Sequence, residues 1–385
     1  MITVLVSGAL ANKPMNGGEA WVRLSWVLGL KQLGMNVYLI EQIGRETCVD
    51  AEGTVVAFEE SINLAYFKQT TAQFGLADAA ALIYAEGEQV FGMTFAEAVE
   101  LAESADLLVN ISGHLSLAPL LRRIRRKAYV DIDPGFTQFW HADGEAGARL
   151  DGHDVYFTIG ENIGMATCSI PTGDIRWRPT RQPVVLDDWP AVDPEPFSRF
   201  TTVANWRGPY GPVVYNGQTF GLKVHEFRKF IDLPARTEQH FEIALNIHPA
   251  DHKDLQALQQ GGWKIENPSV VTPDPLAFRR YVQSSGAEFS VAQGIYVDTN
   301  SGWFSDRSVR YLASGKPVLV QDTGFSRSYP TGAGLLAFRT LDEAAEGAWK
   351  ITCDYEVHCR AARALAETYF NADTVLEQFL TDAGL

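Results

Sequence analysis

The chain opens on an apolar run, Ile2-Thr-Val-Leu-Val6, and a short run of this kind bounded by turn residues predicts a buried strand over Ile2–Ser7. A polar loop, Asn12-Lys-Pro-Met-Asn-Gly-Gly18, follows. Apolar positions then recur at helical spacing from Glu19 to Leu33 and stop at Gly34. The alternation continues. Asn36–Glu41, Ala105–Ile111, Lys127–Ile132 and Val155–Ile159 read as strands, while Ala65–Phe74, Phe95–Ser104 and about Leu117 to Arg126 read as helices. Such βα alternation predicts a mostly parallel sheet with helices on both faces. The proline-rich, acidic segment Trp189–Pro196 breaks the pattern as a linker does. A second set begins beyond it. Its strands are Thr201–Asn205, Phe241–Ile247, Glu288–Ala292 and Pro317–Gln321, and its helices lie within Gly221–Ile231, over Pro275–Ser284 and ahead of Gly315. From Asp342 to Leu385 the pattern is almost all helix. The expected division is therefore an α/β domain over 1–190, a second over 197–360 and a helical tail over 361–385.

Bulk properties narrow the function. A length of 385 residues suits two domains of ordinary size. The net charge of −15 argues against a general nucleic-acid or anionic-membrane binder. One dense basic run, Arg122-Arg-Ile-Arg-Arg-Lys127, reads either as a solvated helix end or as a contact for an anionic acceptor or membrane surface. Cys48, Cys168, Cys353 and Cys359 are scattered with no C-x-x-C spacing, so no metal or redox site is expected. Reduced thiols, no signal peptide and no apolar run of membrane-spanning length lead us to expect a cytoplasmic protein.

The densest chemical signal is Gly302–Phe325, GWFSDRSVRYLASGKPVLVQDTGF. Ser305, Asp306 and Ser308 crowd a helix start, where backbone N–H groups need acceptors. Arg307 and Arg310 sit at the wrong end for the helix dipole alone, and a bound anion at that terminus would explain them. A strand follows, with Asp322-Thr323-Gly324 at its C-terminal end, where open α/β sheets hold ligands. Near the start of the chain, Gly17 and Gly18 would let a ligand approach the backbone closely, although the loop is neither G-x-G-x-x-G nor a Walker loop. Asn110-Ile-Ser-Gly-His114 and Asp131-Ile-Asp-Pro-Gly135 also fall at strand ends. Phe136, Phe139, Trp140 and His141 beside them form either an apolar acceptor wall or one face of a short helix.

The phrase Tyr311-Leu-Ala-Ser-Gly-Lys-Pro-Val-Leu319 resembles the "EAMACGTPVIA" segment of GT-B glycosyltransferases, and the Gly17-Gly18 loop resembles their glycine pair facing the donor phosphates. The spaced glutamate pair usual in that group is absent; Gly302 and Arg310 hold the matching places. The resemblance implies a divergent GT-B enzyme: two Rossmann-like domains facing a central cleft, with C-terminal helices crossing back. It implies transfer from a nucleotide-diphosphate sugar, UDP-sugar foremost, to a small-molecule or glycan acceptor, with no metal or other cofactor. Arg207, Lys223, Ser305, Arg307, Ser308, Gly17 and Gly18 would hold the diphosphate. Thr272, Asp306, Asp322, Thr323 and Gly324 would meet the sugar or base. An inverting transfer would need a base for the acceptor hydroxyl, and His114, Asp131 and Asp133 are its candidates. With retention, His114 would instead hydrogen-bond a sugar or acceptor. A nucleotide-sugar epimerase of the same architecture and a non-catalytic nucleotide-sugar-binding protein remain as alternatives.

Overall fold

A computed structural model describes residues 1–208 and 210–385. The first half contributes β1 (Thr3–Ser7), β2 (Asn36–Ile43), β3 (Ala80–Tyr84), β4 (Gln89–Phe91), β5 (Leu107–Ile111), β6 (Lys127–Asp131), β7 (Val155–Thr158) and β8 (Trp177–Pro179). They form one sheet in the order β4-β3-β2-β1-β5-β6-β7-β8, parallel except where β4 meets β3. The second half begins with β9 (Phe200–Asn205). A hairpin follows, β10 (Val213–Tyr215) with β11 (Gln218–Phe220). Then come β12 (Phe241–Asn246), β13 (Trp263–Glu266), β14 (Ala287–Ser290), β15 (Val318–Gln321) and β16 (Leu335–Phe338), in the parallel order β13-β12-β9-β14-β15-β16. Strand order reverses between β1 and β5 in the first sheet and between β9 and β14 in the second. Loops leave opposite faces of an open sheet at such points and create a crevice beyond the strand C-termini.

The apolar runs read from the sequence are the central strands. β1 and β5 are buried on both faces, which is why they show no alternation. Strands β3, β4, β8, β13 and β16 and the β10–β11 hairpin lie where no strand was expected. β4 and β8 have three residues each, and β13 carries Lys264 and Glu266 among its four. The helix expected over about Leu117 to Arg126 is only Ala118–Leu121. Beyond it the basic run turns: Ile124 is buried and Arg126 Nε donates to the Ala383 carbonyl at 2.9 Å.

The halves meet along the first helix, Gly17–Gln32, whose N-cap Asn16 accepts from the Glu19 N–H. Trp21 Nε1 donates to Pro275 O at 2.8 Å, and the Gly17 N–H donates to Thr272 O at 3.0 Å. A Cβ at Gly17 would lie 2.1 Å from the Asp274 carbonyl oxygen, so only glycine permits this approach. The chain crosses between halves twice, and the crossings pair: Val184 N–H donates to Phe370 O, and Ala372 N–H to Val184 O. The last helix, Ala372–Ala383, then packs on the first half, with Phe379 against Trp26 and Phe157. Among the described residues no helix is long and apolar enough to cross a membrane.

Candidate active site between the sheets

Three communicating cavities occupy the crevice. The central one, of about 860 Å³, is lined by both halves. Lys13, Asp133 and Tyr210 are shared with a cavity of about 770 Å³ set mainly on the first half and bordered by 210–214 of the second. Asn16, Asn205, Asp306 and Arg307 are shared with one of about 310 Å³ beside Thr272. Three of the non-glycine residues held at positive φ, Met15, Ser112 and Arg149, line these cavities. Strained backbone of this kind collects at functional sites. A cavity of about 600 Å³ under the last helix shares no residue with the other three.

On the second half the walls are cationic. Lys223 is half-buried in the central cavity, and its ammonium has no hydrogen-bond or ion-pair partner among the described residues. Burial, and then the neighbouring Arg307, lower its pKa to about 7. A bound anion would restore the charge. Arg207 forms a fork with Asp251, Nε to Oδ2 at 2.7 Å, and stays exposed at the cavity edge. Arg307 is more committed: Nε donates to Glu288 Oε1 at 2.6 Å, Nη1 to Val203 O and Nη2 to Ser290 Oγ. Its guanidinium therefore ties the Asp306–Ala313 helix to β9 and β14. Ser305 caps that helix by accepting from the Arg307 N–H, and Asp306 at its first turn pairs with Arg310. The helix N-terminus still opens on the central cavity through Ser305 and Asp306.

The first half supplies the carboxyl groups. Asp133 lies where the first-half and central cavities meet. Burial is the main cause that raises its pKa to about 6, and Tyr296 from the second half donates to its Oδ1 at 3.4 Å. A carboxyl tuned toward neutrality at a cavity junction suits proton transfer. His114 lines the first-half cavity, with Nε2 3.1 Å from Gln42 O and 3.2 Å from Asn12 Nδ2. Burial first, then Arg23, Arg149 and Lys13, lower its pKa to about 3, so the ring is neutral. With Nε2–H donating to the Gln42 carbonyl, Nδ1 is left as an acceptor for a hydroxyl.

Several expected residues stand elsewhere. Asp131 is fully buried and accepts from Thr137, Gln138, Thr158 and the Asp133 N–H. It shapes the turn that presents Asp133 and does not itself face a cavity. Gly17 admits the Asp274 carbonyl and its N–H is spent on Thr272 O, whereas Gly18, packed on Phe278, still lines the smallest cavity. Thr272 lines the smallest cavity. Ser308 is fully buried, away from the three cavities. Asp322, Thr323 and Gly324 pack against the 300–303 segment and Asn162. There Asp322 accepts from Gly324 N–H, Ser326 and Arg339, and Asn162 Nδ2 donates to Gly324 O. The fork and the loop packing take donors and acceptors that a ligand would otherwise use. The sequence reading passed over Lys13, Arg23, Tyr210, Gln293 and Tyr296. Only Arg23 had a visible signal, its i,i+4 relation to Glu19. Among the described residues no group of His, Cys, Asp and Glu is arranged to hold a metal ion.

No protein-family model and no curated protein matches the chain. Solved structures do. A sucrose-phosphate synthase from Thermosynechococcus elongatus superposes with a TM-score of 0.56 at 11% identity, covering 99% of this chain and 98% of that one. An alpha-glucosyltransferase solved with UDP and a DNA 13-mer gives 0.61 at 10% identity, over 100% and 99%. HepE from Anabaena, solved with UDP, gives 0.60 at 12% identity, over 99% of each chain. Superposition over nearly the full length of these glycosyltransferases makes the architecture of this chain that of the GT-B fold, two Rossmann-like halves about a central cleft.

Proposed function

We propose that this protein is a glycosyltransferase that moves a sugar from a nucleotide-diphosphate sugar, UDP-sugar foremost, to an acceptor hydroxyl without a protein-bound metal. The observation that carries the reading is Lys223, a half-buried cation without a partner among the described residues, set on the same cavity as the Asp306–Ala313 helix N-terminus. Both features favour a diphosphate. UDP in the solved HepE and alpha-glucosyltransferase structures supports the choice of nucleotide. The second half would hold the donor, with the cavity beside Thr272 for the base, and the first half the acceptor.

In the reaction the acceptor O–H bond breaks, a new bond forms from that oxygen to the sugar C1, and the C1–O bond to the diphosphate breaks with its electron pair. Lys223 and the helix N-terminus meet the charge that develops on the diphosphate. In an inverting transfer Asp133 takes the acceptor proton; in a retaining one the leaving oxygen can take it. The missing glutamate pair and the internal pairing of Arg207 and Arg307 favour one competing reading, a nucleotide-sugar-binding protein without turnover. Calorimetry with UDP, followed by assay of UDP release from UDP-glucose, separates them. Lys223→Met should weaken UDP binding about tenfold or more, as loss of a charge-assisted contact does. Unaltered UDP affinity in that variant would sink the donor-site assignment. Binding without release under any acceptor pool would leave the binding-protein reading.

A further inference from the structure

The first-half cavity holds a second cationic group that the donor reading does not use. Arg23 is 3% exposed, yet of its guanidinium only Nη1 is bonded, to the Glu19 carbonyl at 3.0 Å and to the Glu19 carboxylate. Its Nε is buried with no partner among the described residues. A buried guanidinium with an unmet edge calls for acceptor atoms. Arg149 and Lys13 line the same cavity. Arg149 is exposed and held at φ +50, and its loop closes on Gly113, where a Cβ would lie 2.7 Å from the Arg149 carbonyl. Asp133 lies on the same cavity, where Tyr296 donates to its carboxyl at 3.4 Å, and the other carboxylates nearby are engaged or solvated. Glu19 is bound by Arg23 and Lys13, Glu41 accepts four hydrogen bonds from the 10–12 loop, and Asp143 and Glu145 are exposed to solvent. The field at His114 agrees, since three cations of this cavity act against its protonation. Trp140 and Tyr210 line the same cavity, their rings edge-to-face at 4.7 Å, an apolar wall for a ring.

We propose that the first-half cavity recognises an acceptor bearing an anionic group, a phosphate or a carboxylate, held by Arg23 and Arg149 while its ring lies against Trp140 and Tyr210. The assignment deepens the transferase reading and rests on it for the word acceptor; the anion site itself is testable alone. Arg23 binds through its fork and Arg149 adds charge from the rim. Asp133, at the junction with the central cavity, then faces a hydroxyl of the anchored molecule.

The test is calorimetry on the full chain with glucose 6-phosphate, glucuronate, inorganic phosphate and glucose, each with and without saturating UDP. We expect at least one anionic sugar to bind about tenfold more tightly than glucose, as charge-assisted contacts do, and to stay bound when UDP is added. Preference for the phosphate or for the carboxylate names the class. Arg149→Ala, a change at an exposed position, should remove most of that preference, and Arg23→Lys, which keeps the charge and loses the fork, should reduce it as well. Parity with glucose, no binding of any anion, displacement by UDP, or a preference that survives both variants would each overturn the proposal. Failure of UDP to bind while the anion preference persists would count against the donor site and leave this one standing.

Discussion

Two side chains set the expected pH behaviour at the residue scale. Asp133 must lose its proton to act as a base, and its pKa is raised to about 6. Lys223 must keep its proton to attract a diphosphate, and its pKa is lowered to about 7. If the proposed transferase reading holds, kcat/KM should therefore rise through about pH 6 and fall above about pH 7. Asp133→Asn should abolish the acidic limb along with most of the turnover, and Lys223→Met the alkaline one. A flat profile between pH 5 and 9 in the active wild type would refute both roles. The same lysine has a signature in stability. Its folded pKa lies below the 10.5 of the free side chain, so between those values the unfolded chain binds more protons. Its contribution without ligand therefore makes the protein more stable as pH rises from about 7 toward 10.5, and UDP should reverse the trend by drawing the proton back. Little of this was legible in the sequence. Lys223 stood out through resemblance, but a depressed pKa needs the burial that only tertiary structure provides. Asp131 and Asp133 look alike as letters, and only hydrogen bonding separates the turn former from the cavity acid.

Glycine placement decides how elements meet. Gly17 and Gly18 follow a strand and open a helix, a pattern that also suits phosphate binding, yet both lie against the second half. A methyl at Gly17 would sit 2.1 Å from a backbone carbonyl, whereas one at Gly18 would meet the Phe278 ring at 3.0 Å. A carbonyl held in a turn yields less readily than a side-chain ring. Gly17→Ala should therefore cost about 1–3 kcal/mol, the usual range for overpacking, and Gly18→Ala less. Thermal unfolding should rank them in that order; a Gly18 variant as damaging as the Gly17 variant would show that helix geometry, not the contact between halves, sets the requirement. Element type and order were largely readable, because β1, β5 and β15 are apolar runs and the Phe95–Ser104 helix begins with a Thr94 capping box. The edge strands β4 and β8 were not. Three residues give no usable period, and they become strands only because a neighbour offers its ladder.

At the scale of the whole molecule the two halves share a buried apolar cluster, beside one within the first half and one centred on the second sheet. Trp21, Trp26 and Trp189 join Phe278, Val309 and Tyr311 in a single buried cluster that also takes in Leu376 and Phe379 from the last helix. That helix follows the second half in sequence but covers the first. It is fastened by the Val184–Phe370 pairing, by Arg126 on the Ala383 carbonyl and by Phe379, whose ring centre is 4.3 Å from Phe157 and 4.9 Å from Trp26. The shared cluster couples the halves, and calorimetric unfolding of the wild type should be one cooperative transition. Phe379→Ala removes a large buried ring from the first half's share of the cluster, a change that costs about 3–5 kcal/mol at such sites. Because the ring partners of Phe379, Trp26 and Phe157, belong to the first half, the loss should fall there. Its melting should move to lower temperature and separate from that of the second, whose transition UDP would still raise through the proposed donor cavity. A variant that keeps one transition, shifted as a whole, would mean that the interface along Gly17–Gln32 alone couples the halves and that the crossing helix is only a cover.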